Sequence, residues 1–292
     1  MSKFNRAPSL FVPHGGGPFP ILEQGSPISK YMKSVWPHLL MNKSSNPTPP
    51  KAILLVTAHW EEPDDHPTGN SGHDGGPAIS AGSRHELLFD YYGFPPETYK
   101  YKYPAAGSPE IAQKAFDLLK GAGFRPRLDT KRGWDHGVFV PMMLIRPEAD
   151  IPIIQCSLLS TLNADEHIRL GQALEPLRDE GVAIVGSGYS FHNMRLFRAT
   201  GFGAGKLPDD MTKKLKEFGE GLKQACTVAS PEERVKQLTE WAKIPGGRIA
   251  HEREEHLLPL LVCAGAAGND SGKLVWEEVS TPTPPVHSYI WE

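Results

Sequence analysis

Three apolar stretches of this chain each run into a histidine. Residues 9–12 lead through Pro13 to His14, residues 52–56 through Thr57 and Ala58 to His59, and residues 182–185 through Gly186-Ser187-Gly188 toward His192. Short continuous apolar runs suit strands covered on both faces. Such strands belong to sheets with helices on either side, and ligands gather at the rim where the strands end. The pattern therefore restricts the chain to the α/β class. It also delivers three imidazoles to one rim, a good site for a divalent first-row metal.

The segments between these runs fit the same architecture. Residues 27–40 have helical spacing, and Ser108 followed by Pro109 is a helix start that predicts a helix over Pro109–Gly121. Strands are expected at 151–157 and, as the last one, at 273–279. Helices are expected at 164–178, which is amphipathic, across the charged stretch 206–244, and at the apolar stretch 254–266. Residues 138–145 read as helix or strand. Residues 61–84 are polar and Gly-rich and read as a long surface loop. No repeat, low-complexity tract or linker divides the chain. The expectation is a single domain over residues 1–292, with a central mixed β-sheet flanked by helices.

Composition removes several function classes. The 31 Lys and Arg nearly balance 34 Asp and Glu, for a net charge of −3. Neither a nucleic-acid surface nor a polybasic membrane patch is expected from that balance. The longest apolar run, 257–267, is far short of a bilayer span, and residues 1–13 hold no apolar stretch suited to a signal peptide. Cys156, Cys226 and Cys263 form no CxxC pair and read as buried reduced thiols, which fits a cytoplasmic protein. A monomer or homodimer is expected.

Other motifs are weaker. His38, His66, His73, His85, His167 and His287 lie in polar or helix-surface contexts, where solvated or locally hydrogen-bonded roles are the expectation. The glycines after His14 let backbone approach a bound group, but no G-K-[ST] follows to make a P-loop. Gly186-Ser187-Gly188 lacks the third glycine of a dinucleotide fingerprint, and no G-x-S-x-G elbow is present. In His251-Glu252-Arg253-Glu254-Glu255-His256 the histidines are five apart, not four. On a helix that sets them ~140° apart, so at most one faces a site. His256, entering the apolar run, needs a buried partner, and a metal would serve; His251 reads as a surface or supporting group. Gly133-Trp134-Asp135-His136-Gly137 reads either as a turn or as a functional pair.

Taken together and in order, these segments resemble the class III extradiol ring-cleavage dioxygenases of the LigB superfamily, in the DOPA 4,5-dioxygenase-like branch. The segments carrying the resemblance are 8–18, 52–61 (AILLVTAHWE), 90–109 (DYYGFPPETYKYKYPAAGSP), 133–137 (GWDHG), 186–195 (GSGYSFHNMR) and 255–268 (EHLLPLLVCAGAAG). The resemblance implies a non-haem metal site with His14, His59 and His256 as ligands and His192 as a possible fourth. It further implies that His192 and His136 are catalytic. Fe(II) is the metal expected for activity, with Zn(II) possible in purified protein. A catechol and O2 are the expected partners. Tyr91, Tyr92, Phe94 and Asp135 are the candidate substrate wall. Two readings from other classes stay open at this point. One is a zinc hydrolase on the same scaffold. The other is a binding protein of the Memo kind, which shares the fold.

Overall fold

The computed structural model describes residues 6–62, 76–199, 205–279 and 285–292. Their strands form one sheet in the order β4-β3-β5-β2-β6-β1-β8-β7. The strands are β1 (Ser9–Pro13), β2 (Ala52–Glu61), β3 (Ala78–Ser80), β4 (Arg127–Asp129), β5 (Ile153–Leu158), β6 (Val182–Gly188), β7 (Gly272–Glu278) and β8 (Val286–Trp291). The central four, β5-β2-β6-β1, run parallel, whereas β8 is antiparallel to both β1 and β7 and β3 is antiparallel to β5. The sheet is therefore mixed, as expected.

Side chains alternate between two cores, as the two-residue period of a strand requires. Phe11, Leu54, Val56, Ile154 and Ile184 face one layer of helices, which includes Pro109–Gly121, Ala164–Leu174, Asp209–Thr227 and Leu258–Ala266. Leu10, Val12, Ile53, Leu55, Ile153 and Val185 face the other, which includes Pro27–Ser34 and His136–Ile145. Burial on both faces explains why these strands are apolar throughout rather than alternating.

Several boundaries differ from expectation for local reasons. The helix expected at 164–178 gives way after Leu174 to a short turn of helix beginning at Pro176. That over 27–40 ends at Ser34 and resumes at Trp36–Leu39, with Pro37 inside the second piece. A proline has no N–H for an inner helical turn, so it opens a new one. The charged stretch 206–244 contains Asp209–Thr227, Pro231–Thr239 and a 3-10 turn. Within the loop expected at 61–84, residues 78–80 are strand β3; His66 and His73 lie outside the described residues.

Strand 273–279 is observed as β7 but is not the last. β8 follows it and is buried between β1 and β7. Its sequence, VHSYIW, hides the strand because His287 and Ser288 are polar. Both are nonetheless buried and partnered: Ser288 Oγ donates to the Phe11 carbonyl and accepts from Tyr31 Oη, while His287 Nε2 meets Glu277. His287 is therefore not a solvated histidine.

His167 is also buried rather than solvated. Its Nδ1 donates to the Asn163 carbonyl at 2.7 Å and its Nε2 accepts the Leu159 N–H at 3.1 Å. Burial lowers its pKa to about 4. Between pH 6.5 and 4 the unfolded chain takes up a proton that the folded ring refuses, so stability falls as pH drops through that window. His167→Gln is expected to flatten this dependence. The stability gap between wild type and variant at pH 7 should shrink by ~2–3 kcal/mol at pH 4.5. Urea unfolding midpoints at the two pH values measure it, and parallel profiles would contradict it.

Candidate metal and substrate site

Each of five histidines reaches the same rim for its own reason. His14 follows the last residue of β1, and His59 is in the final turn-side residues of β2. His136 is the first residue of helix His136–Ile145, whose N-cap is Asp135. His192 lies four residues beyond β6 and is held by a backbone bridge to His251. His256 sits just ahead of helix Leu258–Ala266, in a turn and not in the helix, so the helical spacing applied to 251–256 does not operate there.

The Gly-Ser-Gly of β6 explains how His256 gets so close to the sheet. A Cβ on Gly186 would stand 2.3 Å from the Pro259 carbonyl oxygen, and one on Gly188 would stand 2.2 Å from that of His256. Only glycine admits such an approach. The Tyr189 N–H then donates to the His256 carbonyl at 2.8 Å and fixes the segment on the rim. At the mouth, Arg253 pairs with the Glu61 carboxylate through both of its terminal nitrogens, tying this segment to the end of β2.

The rings form one cluster. His59 lies 4.8 Å from His14 and 4.0 Å from His136, centroid to centroid. His256 is nearly equidistant from His14, at 5.3 Å, and His59, at 5.0 Å. His192 stacks on His256 at 3.5 Å with 15° between the planes. Donor atoms that fall within 4.8 Å of one another make two groups, His14 with His59 and His136, and His192 with Glu255 and His256.

Hydrogen-bond partners assign the tautomers. Ser187 gives its one hydroxyl proton to the Gly137 carbonyl, so its oxygen accepts from His14 Nδ1 at 3.0 Å. Asp90 Oδ1 accepts from His136 Nδ1 at 2.8 Å and from the His136 backbone N–H at 2.9 Å. Its Oδ2 stands 3.7 Å from His59 Nδ1. Glu255 Oε1 lies 2.9 Å from His256 Nδ1 and 3.3 Å from His192 Nδ1. For His14, His136 and His256 the acceptor is at Nδ1, which leaves Nε2 with the lone pair. His14 Nε2 and His59 Nε2 then face each other at 3.0 Å. His59 Nε2 donates to the His14 lone pair when its ring carries the proton there, and with the proton on Nδ1 the two nitrogens are free to share a cation. The separation matches two neighbouring nitrogens on an ion with bonds of ~2.0–2.1 Å.

The electrostatics favour the same state. Burial, reinforced by the surrounding histidines, pushes His14 and His59 well below the usual imidazole range, and burial lowers His256 to about 4. Neutral rings are the metal-binding form. Burial alone would raise the carboxyls of Asp90 and Glu255. The hydrogen bonds from His136 to Asp90, and from His192 and His256 to Glu255, outweigh it and hold both below the usual range.

The aromatic wall is partly as expected. The buried Tyr91 ring lies 6.0 Å from His136, and Phe94 packs on both Tyr91 and Phe19. Tyr92 does not join them: it is 90% exposed. Asp135 is not on the wall either. It is fully buried, with Oδ1 accepting from Thr57 and Gly137 and Oδ2 from Arg132 and Gln155. Its carboxylate caps the helix that presents His136 and has no free lone-pair direction for a ligand. His251 is buried, not superficial, with Nε2 donating to the Ser190 carbonyl. Asp90, Glu255 and Ser187 carry no role in the sequence reading. Asp90 and Glu255 open two of the matching segments, and that was their only signal.

Comparison with known proteins identifies the family. The family model for the catalytic LigB subunit of aromatic ring-opening dioxygenases matches residues 11–290. A dioxygenase, tasH, from Hapsidospora irregularis is 38% identical, over 99% of this chain and 87% of its own length. The 4,5-DOPA dioxygenase extradiol of Beta vulgaris is 38% identical over 92% of this chain and 90% of its own, and that of Escherichia coli K12 is 33% identical over 89% and 85%. A crystal structure of an uncharacterised Escherichia coli K12 protein superposes with a TM-score of 0.73 at 28% identity, covering 98% of this chain and 100% of that one. With a family match over nearly its whole length, this chain belongs to the LigB family of aromatic ring-opening dioxygenases, as an extradiol dioxygenase.

Proposed function

We propose that the protein opens a DOPA-like catechol next to its diol, inserting both atoms of O2, and that it does so with divalent iron held by His14, His59 and His256. The observation that carries this reading is the 3.0 Å approach of the Nε2 atoms of His14 and His59 inside a cluster of buried histidines. His256 completes the set because its ring is set back almost equally from both, whereas His136 crowds His59. Nitrogen ligands of this kind suit iron and zinc alike, and redox chemistry with O2 requires the former. When bound, the metal supplies Lewis acidity toward the catechol hydroxyls and an electron route to O2.

The remaining work belongs to the chain. Tyr91 and Phe94 offer flat apolar surface to the aromatic ring. His192 Nε2 takes a hydroxyl proton and later returns it to the oxygen that leaves the opened ring. Its stacking on His256 keeps that nitrogen beside the bound diol. His136, once it carries a proton at Nε2, donates a hydrogen bond to oxygen that gains charge, and Asp90 on its other nitrogen balances the ring.

Oxygen uptake tests the proposal. Protein stripped of metal and reloaded anaerobically with Fe(II) is expected to consume O2 with L-DOPA or another catechol and to form a yellow semialdehyde. Protein loaded with Zn(II) is expected to do neither. Full iron occupancy with no uptake on any catechol would overturn it.

A further inference from the structure

Glu255 is oriented in a way that its surface neighbours do not explain. The obvious cation beside it is Arg253, yet the closest approach there is 3.6 Å, to Oε2, and Oε2 makes no hydrogen bond. Arg253 instead spends both terminal nitrogens on Glu61. The carboxylate is 12% exposed and turns its other oxygen inward, to His256 Nδ1 at 2.9 Å and His192 Nδ1 at 3.3 Å. One oxygen thus faces the Nδ1 atoms of two rings stacked 3.5 Å apart at 15°, hydrogen-bonded to that of His256 and 3.3 Å from that of His192.

We propose that Glu255 is a positioning residue that sets the tautomers of two histidines with different tasks. By taking both Nδ1 protons it leaves His256 Nε2 free for the metal and His192 Nε2 free as the base, in register with each other. The inference rests on the roles proposed above for those two histidines. A ligand and a base with independent anchors could tilt separately; sharing one oxygen, they move together. A carboxylate behind a ligand histidine commonly contributes a large part of metal affinity. Here the same group would also determine which nitrogen of the base meets the substrate.

The test reads tautomers directly. In nitrogen-15 NMR of metal-free protein, His192 and His256 are expected in the Nδ1–H form, their signals assigned from His192→Ala and His256→Ala. Glu255→Ala should move both rings away from that form and weaken Zn(II) binding ~10–100-fold. Glu255→Gln, which keeps size and a carbonyl acceptor, should restore the Nδ1–H form of both rings in part and much of the affinity. It also serves if the alanine variant fails to fold. Unchanged tautomers and Zn(II) affinity in both variants would overturn the proposal. So would a change at His256 with none at His192, because the two would then not be coupled. Neither readout needs turnover. An enzyme inactive on every catechol would sink the functional reading, and with it the base role of His192, while the tautomer and Zn(II)-affinity effects of Glu255 would stand.

Discussion

Alanine in place of His59 is expected to strip the protein of its metal and of turnover together. His59 sits in β2, one of the two central strands, and its Nε2 faces His14 Nε2 at 3.0 Å. Removing the ring deletes one of three proposed donors and leaves His14 and His256 too few to retain a divalent ion at ordinary concentrations. The fold should survive, because the His59 side chain is about one-fifth exposed and its removal opens no sealed core cavity. The measurement is metal content after gel filtration, with unfolding midpoints as the control. His256→Ala should behave alike, whereas His136→Ala should keep the metal. A His59→Ala protein with full occupancy would remove His59 from the ligand set, and loss of metal from His136→Ala alone would transfer the third place from His256 to His136.

The second large effect is expected at His192 and has the opposite signature. His192→Ala should retain the metal and lose ~10²–10⁴-fold in kcat, the usual cost of removing a general base. Retention is expected because the His192 Nδ1 is turned to Glu255 and because His14, His59 and His256 make a set without it. Metal analysis beside steady-state rates on the same preparation separates the two roles. If the metal leaves with the side chain, His192 is a ligand.

Much of this architecture was legible along the chain. The apolar runs of β1, β2, β5 and β6 announce strands covered on both faces, and their two-residue alternation between cores is what the sheet displays. The three histidines after those runs were legible for the same reason, since a strand end has one place to deliver its next residues. Short or polar strands were not. β3 and β4 are three residues each, and β8 interrupts its apolar pattern with His287 and Ser288, whose partners come from β7, β1 and the helix Pro27–Ser34. A polar residue reads as exposed until the group that satisfies it is known. For His167 and His251 the exposed setting was overturned on that ground, while the local hydrogen bonds of the first and the supporting place of the second were within the reading.

The site divides along the same line. Sequence by itself determined the sheet, the rim and the imidazoles on it, because hydrophobic period and strand direction are local properties carried by consecutive residues. Tertiary structure alone decided which nitrogen of His14, His136 and His256 is available. That choice is made by Ser187, Asp90 and Glu255, which act through hydrogen bonds of about 3 Å, directed by the packing of the segments that carry them. It also decided that Asp135 supports the site from beneath while Asp90, 45 positions earlier, faces it, and that Tyr91 lines it while Tyr92 does not. Hydrogen-bond direction and side-chain facing depend on where distant segments meet, and a linear pattern holds no record of that meeting.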